Sequence, residues 1–206
     1  MNPKIKTYLE ELGSHFPTLS FDRRQLLSAV ADYIKTNIAN GKVSHLIFIC
    51  THNSRRSHFG QVWATLAAEY YEIGEQVKAY SGGTEVTAPH INMINALQKA
   101  GIAVEKQDGE KEAYGLTYHE NKAPIQCLSK LFDAPLNPKE HFAAVMTCTD
   151  ADQNCPFIPG AEKRFSLPYD DPKISDGTTD APKVYEERSK EIASEMMFIF
   201  SEVNKR

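Results

Sequence analysis

The chain is short of several things that would have placed it quickly. No stretch of its 206 residues approaches the apolar length needed to span a bilayer, so no membrane partner is expected. It carries no strong charge of either sign: the net charge is −4. Its basic clusters are small, which gives no general attraction to nucleic acid or to an anionic membrane surface. Met1-Asn2-Pro3-Lys4 lacks the apolar core of a signal peptide, and there is no repeat or low-complexity tract. The expected location is therefore a reducing cytoplasm. There, four cysteines read as chemistry more readily than as a disulfide scaffold. With 41% hydrophobic residues, the chain is long enough for one well-packed domain and short for two.

What is present alternates. Residues 3–40 read as helical, with Ile5, Leu9 and Leu12 at helical spacing. Gly13 and Pro17 interrupt the run, and a second helix follows Ser20 with Leu26, Leu27, Val30, Tyr33 and Ile34 on one face. Strands are expected at 43–50, 77–81, 125–129 and 142–146, and helices at 56–72, 89–100 and 182–203, with 105–122 polar and rich in turns. Strands alternating with helices predict a three-layer α/β domain, residues 42–206, built on a doubly wound four-stranded parallel sheet. Residues 1–41 form a helical extension, and 106–135 an excursion in which Cys127 reads as a buried strand thiol.

The most informative segment is Cys50-Thr51-His52-Asn53-Ser54-Arg55-Arg56-Ser57, at the end of the apolar run His45–Cys50. A cysteine, five residues and an arginine at a strand-to-helix junction make a loop whose backbone N–H groups converge on one point. The helix field and Arg56 favour the thiolate form of Cys50, the nucleophilic one. The Arg56 fork suits two oxygens of a tetrahedral oxyanion. Asn53 suits a left-handed kink, and Ser57 is placed to donate to the Cys50 sulfur. Thr51 to Ser57 are thus the candidate oxyanion-binding residues. A buried core cysteine before an ordinary helix is the plainer reading, but strand, spacing and helix agree on the loop.

Two further constellations matter. The strand at 142–146 runs into Thr147-Cys148-Thr149-Asp150-Ala151-Asp152-Gln153-Asn154-Cys155-Pro156. At the carboxyl end of a strand, Cys148 stands where ligands gather in open α/β sheets. On an intact helix Cys148 and Cys155 would lie about 10.5 Å apart, too far to bond. Thr149 to Asn154 is poor helix material, so such a segment can unwind and let the two thiols meet, which would make the pairing a switch coupled to a local structural change. A zinc site fits less well, since the spacing is long and no histidine pair completes four ligands. The third constellation, Leu167-Pro168-Tyr169-Asp170-Asp171-Pro172, offers an acid in a proline-bounded loop.

Together these residues resemble the thioredoxin-coupled arsenate reductases, which share their fold with the low-molecular-weight protein tyrosine phosphatases. The match runs over about residues 43–105 and 140–203. It rests on Cys50 to Ser57, on Cys148 to Pro156 and on Asp170-Asp171-Pro172. The resemblance implies that Cys50 attacks arsenate held by the loop and Arg56 while Asp171, which directly precedes Pro172, protonates the departing oxygen. Cys148 and then Cys155 relay the electrons, and thioredoxin reduces the final disulfide. It implies no cofactor. No metal is expected, because Gln61 stands where some members have a glutamate that helps bind a potassium ion, although Asn53 and Ser81 match two other ligands. His52 replaces a glycine of the loop, and Arg55 replaces a cysteine and adds positive potential. Hydrolysis of a phosphoester through a Cys50 phosphoenzyme is the alternative. A non-catalytic oxyanion binder or redox sensor is a third.

Overall fold

The computed structural model describes residues 1–154 and 157–205, and only the backbone of Ser14, His15 and Pro17. Four parallel strands make the central sheet: β1 (Ser44–Cys50), β2 (Val77–Gly83), β6 (Phe142–Met146) and β7 (Ala161–Ser166), in the order β2-β1-β6-β7. Register is set along β1, where Leu46 lies opposite both Ala79 and Ala143. β1 is apolar on both faces because both are covered. Leu46 and Phe48 face one core with α3 (Arg56–Tyr70) and α6 (Ala181–Asn204). Ile47 and Ile49 face a smaller core with Phe142, Met146, Cys148 and Ile158, and this second face is roofed by α5 (Thr149–Asn154).

The strand order reverses direction at β1, since β2 lies on one side of it and β6 on the other. The carboxyl ends of β1 and β6 therefore border the crevice where a doubly wound sheet takes its ligand. Those ends are Cys50 and, two residues beyond Met146, Cys148.

Two expectations need correction. The residues at 125–129 do form a strand, β5 (Ile125–Leu128), but in a separate antiparallel sheet with β3 (Ala103–Gln107) and β4 (Ala113–Thr117). The fourth parallel strand is instead β7, whose Glu162, Lys163 and Arg164 are all exposed. An edge strand needs only one apolar face and is protected by such charges, which is why it does not read as a strand.

The N-terminal helices α1 (Pro3–Leu12) and α2 (Phe21–Ala39) begin where the caps predict. Asn2 accepts from Lys4 N at 2.9 Å and Ser20 from Arg23 N at 3.2 Å. The α2 stripe is Leu27, Val30, Ala31 and Ile34; Leu26 is 44% exposed and lies off it. Tyr8 stacks on Trp63 with ring centres 5.4 Å apart, and the Trp63 indole N–H donates to Ser189 Oγ at 3.0 Å. One buried indole thus joins α1, α3 and α6. At Gly82 in β2 a Cβ would meet Phe132 Cα at 2.3 Å, so glycine there admits a backbone from the excursion.

Candidate active site

Cys50 is 3% exposed, and its sulfur lies 3.0 Å from Ser57 Oγ. Ser57 Oγ accepts from Asn53 Nδ2 at 2.9 Å, which turns the hydroxyl proton toward the sulfur. Asn53 has φ +44° and is fully buried, the kink expected of it.

Four of the loop carbonyls are engaged from outside the loop. Cys50 O accepts from Thr84 N (3.2 Å), Thr51 O from Glu85 N (2.8 Å) and Ser54 O from His90 N (3.0 Å). His52 O accepts from Ser129 Oγ and Thr87 Oγ1, each at 3.0 Å. In a trans peptide the C=O and the following N–H point in opposite directions. Outward carbonyls at 50, 51, 52 and 54 therefore aim the N–H groups of Thr51, His52, Asn53 and Arg55 inward, where the α3 N-terminus adds its own. This is a concave anion cradle. The cavity above it is narrow, about 10 Å³, and is lined by Cys50, His52, Ser54, Arg55, Arg56 and Asp171. A wider groove of about 560 Å³ adjoins it, bordered by His90, Glu112 and Lys173.

Arg56 is 8% exposed and donates through Nη1 to Tyr169 O at 2.9 Å and through Nη2 to Asp171 Oδ2 at 2.6 Å. The other Asp171 oxygen caps Lys173 N at 3.0 Å. Asp170 has a side chain 98% exposed and faces Arg188, away from the cavity. Arg55 donates to Tyr185 Oη at 2.5 Å and to Asp176 Oδ2 at 2.7 Å, so most of the positive potential expected from it is balanced by a carboxylate. His90 stacks on Tyr185 at 5.3 Å and approaches Asp176 at 3.4 Å. Burial opposes ionisation of Asp176, but the Tyr185 hydroxyl and the Arg55 charge hold its carboxyl below the usual range. The His52 ring turns to the rim, 3.5 Å from Glu85, and does not crowd the loop.

Cys148 is 1% exposed, with its sulfur 3.5 Å from Thr51 Oγ1. The second thiol thus contacts the residue that follows Cys50. It also accepts from Ala151 N at 3.4 Å, inside α5. The segment after Cys148 is helical in this structure: Asp150 and Asp152 in the first turn complement the helix field, Ala151 packs inward, and Asp152 is pinned by Arg164 at 2.6 Å. Cys155 lies outside the described residues. Cys50, Cys127 and Cys148 are free thiols.

Beneath the loop, Ser81 Oγ donates to Gln61 Oε1 at 2.6 Å and lies 3.2 Å from His58 Nδ1. Asn53 Oδ1 accepts from Lys130 N at 2.9 Å, so Asn53, Gln61 and Ser81 all have their side-chain oxygens in hydrogen bonds within the protein. Burial and the Lys130 charge push His58 down to about 3, keeping it neutral. Burial pushes the Cys127 thiol up to about 12 and the Lys130 ammonium down to about 8.

The groups that hold Cys50, Arg56 and Asp171 in place were not singled out by the sequence. They are Ser129 and Lys130 behind the loop, Asp176 and Tyr185 beside Arg55, and Tyr169 beneath Arg56. Tyr169 sits inside a motif already marked; the others lie at separations that no local pattern reveals.

No protein-family model matches the chain. The arsenate reductase of Bacillus licheniformis is 26% identical over 157 residues, covering 76% of this chain and 94% of the relative. That of Bacillus subtilis is 25% identical over 160 residues, covering 78% and 96%. Among solved structures, the low-molecular-weight protein tyrosine phosphatase from T. tengcongensis superposes with a TM-score of 0.53 over 77% of this chain and 98% of its own, at 15% identity. A YwlE mutant from Bacillus subtilis gives 0.52 over 79% and 99%, at 14% identity. The three-layer fold is that of the low-molecular-weight phosphatases.

Proposed function

We propose that this chain, an enzyme with the low-molecular-weight phosphatase fold and with arsenate reductases among its sequence relatives, reduces arsenate to arsenite by a relay from Cys50 to Cys148 to Cys155, with thioredoxin as the final reductant. The placement of Cys148 beside Thr51 carries this reading, because hydrolysis of a phosphoester calls for no second buried thiol at the loop.

Arsenate enters the cradle, and the Arg56 fork exchanges Asp171 for two of its oxygens. The Cys50 thiolate attacks arsenic(V) while Ser57 stabilises the sulfur. Asp171 gives its proton to the departing oxygen, which leaves as water. The Cys148 thiolate then attacks the Cys50 sulfur. The S–As bond breaks with its electron pair staying on arsenic, so arsenite leaves and a Cys50–Cys148 disulfide remains. Cys155 attacks Cys148 and frees Cys50, and a dithiol protein such as thioredoxin reduces the Cys148–Cys155 disulfide. Melting of α5 would bring Cys155 to Cys148, and a six-residue helix is short enough to melt readily.

Phosphoester hydrolysis remains the second reading. Cys50, Arg56 and Asp171 suffice for it, and the groove beside the cavity offers room for an ester group. The two readings separate by NADPH consumption with arsenate, thioredoxin and thioredoxin reductase. The wild type should turn over repeatedly, Cys155→Ser should stop after a single turnover, and Cys148→Ser should release no arsenite. An inactive wild type that hydrolyses an aryl phosphate undiminished by Cys148→Ser would refute the relay.

A further inference from the structure

Residues of α2 lie outside the sheet, yet one of them reaches the loop that carries Asp171. Arg23 donates through Nε and Nη2 to the two carboxylate oxygens of Glu195 on α6, at 2.6 and 2.8 Å. Glu195 is 2% exposed, and its Oε2 also accepts from the Tyr169 hydroxyl at 2.6 Å. The Arg23 guanidinium lies 4.8 Å over the Tyr169 ring. The backbone of Tyr169 then meets the active site twice. Its carbonyl accepts from Arg56, and its N–H donates to Thr147 O at 3.2 Å, next to Cys148.

We infer that Arg23 is a positioning residue for the acid loop: through Glu195 it holds the Tyr169 side chain, and Tyr169 sets where Asp171 stands against Arg56 and Cys50. Between β7 and the 3-10 turn at Pro172 the chain has no regular structure of its own, so its anchors decide its place. The Tyr169 hydroxyl, two residues from Asp171, anchors the loop in the buried interior. A buried carboxylate with three donors is rigid. With Tyr169 as sole donor it must draw in water or turn, and the hydroxyl moves with it. The inference rests on the proposed reading only in giving Asp171 a part in the reaction; the link from Arg23 to the loop stands without it.

The test uses the full chain. Arg23→Met with Glu195→Gln removes both charges at similar volume, and Tyr169→Phe deletes only the hydroxyl link. Both variants should raise hydrogen exchange across residues 167–173 while β1 and β6 exchange as before. They should lower kcat for arsenate about 10-fold, a fraction of the about 100-fold that a 1 Å misplacement can cost, with KM little changed. Added to Asp171→Asn, neither should slow the reaction further, because they act through Asp171. Unchanged exchange at 167–173, or losses that multiply with that of Asp171→Asn, would overturn the inference. Should Asp171→Asn alone keep full turnover, the acid role of Asp171 falls, and the exchange measurement by itself decides on Arg23.

Discussion

Asn53 offers the sharpest perturbation, because three separable effects meet in one fully buried side chain. It donates to Ser57, accepts from Lys130 N and holds φ at +44°. In Asn53→Ala both bonds disappear, at about 0.5–1.5 kcal/mol each, and the Lys130 N–H is left without a partner, which can raise its share to about 1–3 kcal/mol. Alanine in the left-handed region adds about 1 kcal/mol. The expected loss is about 3–5 kcal/mol, or about 2 M in urea midpoint for a slope of about 2 kcal/mol/M. Asn53→Gly loses the same bonds without the conformational strain, so it should be about 1 kcal/mol more stable than Asn53→Ala although it has less to pack. Asn53→Asp keeps the acceptor for Lys130 and should fall nearest the wild type. Urea unfolding of the three variants orders them. Alanine equal to or above glycine would refute the strain, and losses under about 1 kcal/mol for both would refute the bonding argument.

Two further outcomes follow from the packing around the site. The folded-state pKa of Lys130, about 8, lies below the unfolded value, so between about pH 8 and 10.5 the unfolded chain binds more protons and this group makes stability rise with pH. The gain should reach about 1 kcal/mol between about pH 7.5 and 9 and vanish in Lys130→Met; parallel pH profiles for the two proteins would show the reasoning wrong. Gly60 lies where a Cβ would meet the Phe48 ring at 2.4 Å. Gly60→Ala should therefore lose about 1–3 kcal/mol to overpacking, partly recovered by Phe48→Leu; a thermal midpoint at or above that of the wild type would contradict it.

How much could be read beforehand depended on whether the signal was local. β1, β6 and α6 have uniform apolar runs or a helical stripe, and their positions were legible. The loop from Cys50 to Ser57 was legible as a strand-to-helix junction because a strand end, a fixed spacing and a helix start coincide within eight residues. β7 was not, since an edge strand shows Glu162-Lys163-Arg164 to solvent. β3 and β4 were passed over as polar, although Asp108-Gly109 between two short runs is a hairpin signal in its own right. Choosing Asp171 over Asp170 rested on its neighbour Pro172, and the two prove to differ in surroundings: one faces Arg56, the other solvent. The supporting residues Arg23, Glu195, Ser129 and Lys130 had no local signal at all, because burial and pairing across long separations are properties of the folded chain.

Those separations also fix an order of events. The loop residues 51–56 are tied by side chains to positions 77 residues on at Lys130, 97 at Cys148, 115 at Asp171 and 130 at Tyr185. None of these partners exists while the chain is only β1 and α3 long. Closing such distant contacts is slow and comes after the local helices have formed. On a ribosome, Cys50 therefore emerges 80 residues before Lys130 and 135 before Tyr185. For the seconds that synthesis of those residues takes, the Cys50 thiol stands exposed on an unfinished chain, open to oxidants from which the finished fold shields it.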